Sequence, residues 1–170
     1  MKNKRQVIPL RRKREGKTNY KKRMGYLRSR MPRLVIRKSL RNIIAQVIVY
    51  EQQGDRIIAA ASSAQLKKLG WKSSGSNIPA AYLVGYLVGK KAKTSNIEEA
   101  VLDLGIYQQI KGSKLYAALK GAVDAGLNIP HDQSVMPSEE RLHGKHIMEY
   151  RKTDIQKQFE ETLQKIRSMK

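Results

Sequence analysis

Residues 33–61 decide the fold, and they read RLVIRKSLRNIIAQVIVYEQQGDRIIAAA. β-branched and apolar residues dominate three short runs, which cover residues 33–38, 42–50 and 56–61. The segments between them are short, and the second one contains the turn-forming pair Gly54-Asp55. Such runs with short links are typical of consecutive antiparallel strands. The stretch therefore predicts a three-stranded antiparallel meander.

The first of these strands separates charged from apolar side chains. Because side chains alternate between the faces of a strand, Arg33, Arg37 and Ser39 should share one face. Leu34 and Ile36 should then point to the other face, under the helices. We expect the guanidinium groups to lie on the open side of the sheet, where replacing either arginine should leave the fold intact.

The next segment has the signals of a helix. Asn77 precedes Ile78-Pro79, which predicts an N-cap and a helix from Pro79 to about Lys93. Small residues recur every fourth position within it, and this smooth stripe is expected to lie against the sheet. The stripe consists of Ala81, Gly85 and Gly89.

A fourth strand and a second core helix follow. The apolar run 100–105 predicts a central strand, reached by a crossover from the helix. Gly112-Ser113-Lys114 opens the second helix, whose apolar residues fall on one face and which Gly126 is placed to end. The order β-β-β-α-β-α predicts an α/β fold in which helices cover a mixed sheet.

The chain divides into three parts by composition. Residues 1–31 are predicted to be a basic, disordered N-terminal tail, residues 32–130 the α/β core domain, and residues 131–170 a C-terminal extension that is partly helical. Within the extension, a charged and weakly amphipathic helix is expected from Thr153 to Met169.

Positive charge is concentrated at the N-terminus. The first 41 residues carry 17 of the 35 basic side chains and a single acid, Glu15, so they hold +16 of the net charge of +21. Like charges repel, and this segment has little apolar surface to bury. We expect it to become ordered only against a dense polyanion, which indicates a nucleic-acid partner.

Other classes of protein lack support in the sequence. Without cysteine there are no disulfides, thiolate metal sites or cysteine nucleophiles. The longest apolar run, 78–88, is shorter than the roughly 20 residues of a membrane span, and no apolar stretch follows the basic N-terminus as in a secretory signal. A membrane-surface helix needs an apolar face, and Tyr20 is the one large uncharged side chain between Arg11 and Arg23. We expect a cytoplasmic protein with no membrane partner.

The basic residues have a chemistry suited to RNA. Lysine and arginine neutralise phosphates, tyrosines among them stack on unpaired bases, and the arginine fork binds phosphate in a bidentate way. The alternative for the strand is a solvated charged face without a ligand. The candidate RNA-binding residues are Arg11, Arg12, Lys13, Arg14, Lys17, Tyr20, Lys21, Lys22, Arg23, Arg33, Arg37, Lys38, Ser39, Arg41, Ser113 and Lys114.

Two further segments allow two interpretations each. At Ser113 and Lys114, backbone N–H groups of a helix start, a hydroxyl and an ammonium form a phosphate seat, but an ordinary serine N-cap explains the serine equally well. Trp71 either contacts RNA from its loop or covers the edge of the core.

Catalytic and metal-binding patterns are weak. His143 and His146 are three residues apart, with His131 as a conceivable third ligand, but without cysteine this set is a poor zinc signal, so no metal or other cofactor is expected. Two-metal hydrolysis needs converging carboxylates, and of the acids in the core only Asp103 lies in mid-strand. The protein is therefore not expected to be an enzyme.

Several stretches together resemble one protein family. In order they are RRKREGKTNY (11–20), PRLVIRKS (32–39), NIPAAYL (77–83), EAVLDLG (99–105), GSK (112–114) and DAGLNIPH (124–131). They resemble the large-subunit ribosomal protein family numbered eighteen in its archaeal form, which is related to the eukaryotic large-subunit protein five.

The resemblance implies a structural protein of the central protuberance that binds 5S rRNA and helps attach it to the large rRNA. It implies as partners 5S rRNA, the large-subunit rRNA and neighbouring ribosomal proteins, including large-subunit protein five of the 5S particle. The alternatives are a non-ribosomal nucleic-acid-binding protein, such as one that compacts DNA, and a metal-dependent nuclease.

Overall fold

The computed structural model of the protein describes residues 8–151 and 154–169. In this part of the chain, eight α-helices surround one mixed sheet of four strands. The elements in chain order are α1 (Arg11–Arg14), α2 (Tyr20–Arg28), β1 (Arg33–Lys38), β2 (Ile43–Glu51), β3 (Gly54–Ser62), α3 (Ser63–Lys68), α4 (Ile78–Thr94), β4 (Val101–Asp103), α5 (Lys114–Asp124), a 3₁₀ turn (Gln133–Val135), α6 (Glu139–Leu142), α7 (Lys145–Arg151) and α8 (Ile155–Ser168).

The sheet confirms the predicted fold class. Its strand order is β3-β2-β1-β4, with β1, β2 and β3 antiparallel to their sequence neighbours and β4 parallel to β1. The meander of three strands and the mixed character of the sheet are therefore both present. Leu34 pairs with Val47 and Ile36 with Ala45, and all four side chains are fully buried on the side that α4 and α5 cover.

The fourth strand differs from its predicted place, because it lies at the edge of the sheet rather than at the centre. It is only three residues long, and Gly105 follows it with a φ of +62°, in the left-handed region where a strand cannot continue. The segment before it forms a parallel bridge from Glu99 to Asn128, which covers the start of this edge.

The helix α4 runs through the centre of the molecule. Its N-cap is Asn77, whose Oδ1 accepts a hydrogen bond from the N–H of Ala80 at 2.8 Å, as the sequence predicts. The helix contacts the sheet, α5 and α8, so its buried residues are spread around its circumference. Trp71 closes the core beside it, with 1% of its surface exposed and its Nε1 donating to the carbonyl of Ser74.

The two glycines of the α4 stripe, Gly85 and Gly89, face another helix, not the sheet. A Cβ at Gly85 would collide with the carbonyl oxygen of Ala118 in α5, and a Cβ at Gly121 in α5 would collide with the carbonyl of Tyr82. Gly89 in turn approaches Ala122. The two backbones therefore touch, and the glycines are needed for this close approach. The spacing identified the smooth stripe but not its partner.

The C-terminal extension packs on the same core. In α8 the buried residues Ile155, Phe159, Thr162 and Ile166 form one stripe, so the helix is clearly amphipathic rather than weakly so. The ring centroid of Phe159 lies 5.5 Å from that of Tyr82 in α4. The predicted start at Thr153 lies outside the described residues, and the helix begins at Ile155.

The N-terminal segment is ordered where a disordered tail was expected. Residues 8–31, here called the N-terminal arm, contain α1 and α2, while residues 1–7 lie outside the described residues. Gly16, with a φ of +62°, ends α1, and the Oδ1 of Asn19 accepts from the N–H of Lys22 to cap α2. An ion pair from Arg23 to Asp55 then ties α2 to the sheet. Local caps and this ion pair favour the order that charge repulsion argued against.

The contact between α4 and α5 gives a test of the fold. Gly85→Ala and Gly121→Ala should each lower the free energy of unfolding by about 1–3 kcal/mol or more, because the added methyl group forces two packed backbones apart. Gly25→Ala in α2 is the control, since nothing lies within 4 Å of its Cβ position and alanine favours a helix. Urea denaturation of the three variants measures the difference, and equal stability of all three would contradict the close contact.

Candidate nucleic-acid interface

Four charged residues form a chain across the open face of the sheet. Arg23 Nη2 lies 2.8 Å from Asp55 Oδ1, Arg33 Nη2 lies 2.9 Å from Asp55 Oδ2, and Arg33 Nη1 lies 2.9 Å from Asp103 Oδ2. The other oxygen of Asp103 accepts the N–H of Gly105 at 2.8 Å. This ion chain, Arg23–Asp55–Arg33–Asp103, joins α2 to β3, β1 and β4.

The expectation of an exposed Arg33 is wrong. Its face was correctly assigned, since Leu34 and Ile36 point the other way, but only 3% of Arg33 is exposed. The arm lies over this part of the open face, and a guanidinium is buried in a protein only when carboxylates pair with it. Asp55 and Asp103 supply that pairing, so Arg33 holds the structure together instead of facing a ligand.

The ion pairs shift the pKa values of Asp55 and Arg23. Burial raises the pKa of the Asp55 carboxyl, but hydrogen bonds from Arg23 and Arg33 outweigh this and hold the pKa below its ordinary value. The hydrogen bond to Asp55 in turn raises the pKa of Arg23. Burial raises the pKa of the Tyr26 phenol, and the carboxylate of Asp103 adds to the shift. Asp55 is therefore ionised at neutral pH and holds the arm by charge.

Arg37 lies on the same face as Arg33 but remains exposed. Its guanidinium rests against the backbone of Gly105, where a Cβ would lie 2.5 Å from Nη1. Within the described ranges it forms no ion pair. The planar fork is thus positioned by the protein while its charge faces solvent, as the sequence predicts for an anion contact.

The end of β1 and the start of α5 form a second basic group. Lys38 lies with its Nζ 5.4 Å from the ring centroid of Tyr107. Ser76 donates to the carbonyl of Ser39 at 3.2 Å and its Oγ accepts from Lys114 Nζ at 2.7 Å. Burial lowers the pKa of Lys114, and the nearby ammonium of Lys38 lowers it further. The structure therefore brings together two candidate segments that lie far apart in the sequence.

Ser113 occupies the N-cap position of α5 but does not cap it. Its side chain makes no capping hydrogen bond, and its buried Oγ has no partner in the part of the chain that the structure describes. The ordinary N-cap interpretation therefore lacks the bond it requires.

Most of the basic candidates in the arm face solvent. Glu15, the arm's one acid, pairs with Lys17 at 2.8 Å and more loosely with Arg11 at 3.7 Å. Arg12 donates from Nε to Thr18 Oγ1 at 2.9 Å, which fixes the turn between α1 and α2. The exposed candidates are Arg11, Arg12, Lys13, Arg14, Lys17, Tyr20, Lys21, Lys22, Arg37, Lys38, Ser39 and Arg41.

A cavity of about 510 Å³ separates the arm from the open face of the sheet. Val35 and Ile48 line it from the sheet, Tyr26 and Lys22 line it from α2, and Arg37 lines it from β1. This arm cleft depends on the ion chain, whose acids the sequence analysis missed. A sequence signal did exist, since Asp55 lies at the start of β3 and Asp103 at the end of β4, but nothing showed which cation they pair with.

The three histidines make separate contacts. His131 Nδ1 lies 2.7 Å from the carbonyl of Ile129, and the ring centroid of His143 lies 4.9 Å from that of Phe159. Burial lowers the pKa of His146, and Arg141 adds to the shift. Within residues 8–151 and 154–169, no three or more histidine, aspartate and glutamate side chains are placed to hold a metal ion. No helix in the same ranges is long and apolar enough to span a membrane.

A protein-family comparison agrees with this basic surface. The family described as ribosomal large subunit proteins 60S L5, and 50S L18, matches residues 4–98 and 92–132, well over half of the chain. The chain belongs to this family. It is thus a protein of the large subunit of the cytoplasmic ribosome, a ribonucleoprotein component that acts in translation, with rRNA and ribosomal proteins as partners. The resemblance read from the sequence motifs is confirmed.

The family match covers every element of the interface. It includes the whole arm, all four strands and the whole of α5. The family's rRNA partner is a polyanion of the kind that the charge distribution calls for. The match ends at residue 132, before α6, α7 and α8.

The ion chain predicts unequal roles for two arginines on one face. Arg33→Met should lower the free energy of unfolding by about 3–5 kcal/mol, because it leaves the carboxylate of Asp103 buried without its partner. Arg37→Met should change it by about 0.5 kcal/mol or less, as for an exposed side chain. Denaturant titrations measure both values. The double variant Arg33→Met, Asp103→Leu should recover much of the loss, and equal stability of the two single variants would contradict the assignment.

Acid should weaken the attachment of the arm through Asp55. Because the pKa of Asp55 is lower in the folded protein, its ion pairs stabilise the fold fully above the unfolded value of about 3.9, and the effect is lost as the pH falls through the folded value. Asp55→Asn should therefore cost more stability at neutral pH than at about pH 2.5. Urea titrations of both proteins at the two pH values test this, and a cost independent of pH would refute it.

Proposed function

We propose that this ribosomal protein binds 5S rRNA and helps attach it to the large-subunit rRNA in the central protuberance. The observation that carries the proposal is the arm cleft, where the cations of the arm and of β1 meet around one cavity while the two acids inside are paired with Arg23 and Arg33. Membership of the ribosomal family supports it.

The surface suits RNA better than duplex DNA. The arm carries ten basic residues and one acid, enough to neutralise several phosphates and release their counterions. The exposed Tyr20 offers a stacking partner for an unpaired base, which RNA loops supply. A helix that reads a DNA groove must present its side chains freely to base edges, whereas α2 is tied to the sheet and α4 and α5 are largely buried.

Two groups of cations allow contact with two RNA segments. The first group is the exposed part of the arm with Arg37, and the second is the end of β1 with Lys114. An RNA phosphate beside Lys38 and Lys114 would relieve the repulsion between these two ammonium groups. The start of α5 with Ser113 lies next to them and favours an anion by its dipole. We propose that one group binds 5S rRNA and the other the large rRNA.

The proposed role is structural, not enzymatic. A nuclease with two metal ions needs several free carboxylates in one cleft, and the acids of the arm cleft are Asp55 and Asp103. Both are engaged by arginine, which supports a binding role for the cleft. We further propose that the neighbouring ribosomal proteins on the assembled particle include large-subunit protein five of the 5S particle.

The electrostatic contribution of the arm can be measured with charge-matched variants. Replacing Arg11, Arg12, Lys13 and Arg14 by glutamine should flatten the plot of log affinity for 5S rRNA against log salt by about 0.7–0.9 per lost phosphate contact. The control replaces four exposed lysines outside the interface, Lys67, Lys68, Lys72 and Lys157, and has the same net charge. The control should keep the wild-type slope.

Two outcomes would count against the proposal. If both four-residue variants flattened the slope equally, the binding would depend on total charge and not on the arm. If wild-type protein bound a duplex DNA and an unrelated transcript of matched length as tightly as 5S rRNA, a non-specific nucleic-acid-binding protein would be the better description.

A further inference from the structure

The arm cleft has the size of a small-molecule site. Its volume of about 510 Å³ falls within the roughly 300–1,000 Å³ that such sites occupy. One wall is the arm, from Arg12 to Tyr26, and the other is the open face of β1 and β2. The ion pair of Arg23 with Asp55 holds the two walls together. The space is therefore set by the folded protein, before any RNA is present.

The floor of the cleft is apolar and aromatic. Val35 and Ile48 form it, with 4% and 9% of their surfaces exposed. Tyr26, which is half-buried, lines the cleft from α2. A lone phosphate ion would leave this floor unused, whereas the flat face of a nucleobase packs well on aliphatic and phenol groups.

The rim of the cleft is strongly positive. Six basic side chains and two carboxylates line the cleft, so its net charge is +4. The two carboxylates are those of the ion chain and pair with Arg23 and Arg33. Four basic side chains remain without an acid inside the cleft, namely Arg12, Lys17, Lys22 and Arg37, of which Lys17 pairs with Glu15 outside it. An acidic peptide would match the rim but would lay its polar backbone over the apolar floor, at a cost in lost hydrogen bonds to water. A nucleotide matches both parts.

We propose that the arm cleft binds one unpaired nucleotide of the RNA, with the base on Val35, Ile48 and Tyr26 and its phosphate between Lys22 and Arg37. The inference rests on the proposed RNA-binding function and names the part of the RNA that this site takes. A nucleotide in a duplex keeps its base stacked and paired, so only one from a loop, a bulge or an extruded position can enter.

The test uses mononucleotides as probes with the full chain. Protein NMR titrations with uridine and adenosine monophosphate, with uridine alone and with inorganic phosphate separate the base from the anion. We expect at least one mononucleotide to bind about tenfold or more tightly than either uridine or phosphate, with shifts in Tyr26, Val35 and Arg37.

Matched variants locate the binding. Arg37→Gln and Tyr26→Leu should each weaken the mononucleotide about fivefold or more. The controls Arg28→Gln, in the same helix as Tyr26, and Tyr50→Leu, on β2, lie outside the cleft lining and should change affinity less than about twofold. If Tyr26→Leu weakens binding by loosening the arm, the Arg37→Gln variant still tests the site, because Arg37 is exposed and its replacement leaves the arm in place.

Three results would overturn the inference. Phosphate binding as tightly as the mononucleotides would make the cleft an anion site only. Equal loss in the cleft variants and their controls would place the nucleotide elsewhere. Tight binding of 5S rRNA in a parallel titration, without any mononucleotide shifts in the cleft, would exclude this site while leaving the proposed function in place.

Discussion

The guanidinium of Arg33 lies inside the protein between two carboxylates, and its burial constrains four segments of the chain. A buried cation is tolerated only when well-placed acids compensate for the lost hydration, so β3 must present Asp55 and β4 must present Asp103. Asp55 has a second oxygen to share, and Arg23 of α2 uses it. The arm, otherwise a highly charged segment, is thereby held on the sheet. The cleft between the arm and the sheet depends on this one arrangement.

The two faces of the sheet are built by opposite means. On the core face, α4 and α5 approach until their backbones touch at Gly85 and Gly121, and apolar burial with tight packing stabilises the layers. On the open face, a few ion pairs hold α2 above Val35 and leave a cavity. The rigid side therefore provides the platform, and the charged side provides the space in which a polyanion can bind.

Local sequence patterns predicted the structural features that depend on residues close together in the sequence. The two-residue period of β1 placed Leu34 and Ile36 in the core, and Asn77 caps α4 as expected. The predicted exposure of Arg33 was wrong because its partners Asp55 and Asp103 lie 22 and 70 residues away in the sequence. The pattern around an arginine does not indicate that a distant acid pairs with it. For the same reason the pattern did not show that α5, not the sheet, meets the glycines of α4. Most of the candidate cations are exposed, as is usual for charged side chains, but the cleft between them was not predicted.

The packing of α8 on α4 has a consequence for the order in which the protein matures. Synthesis proceeds from the N-terminus, so α8 is made after every other described element, although Phe159 and Ile166 belong to the core. Until α8 has packed, the side of α4 around Tyr82 is uncovered. Lys90 also lacks the carbonyl of Ile166, near the end of α8, to which it donates a hydrogen bond. A chain that already carries the complete basic arm therefore still exposes apolar surface on α4, and it stays prone to aggregation until α8 has packed.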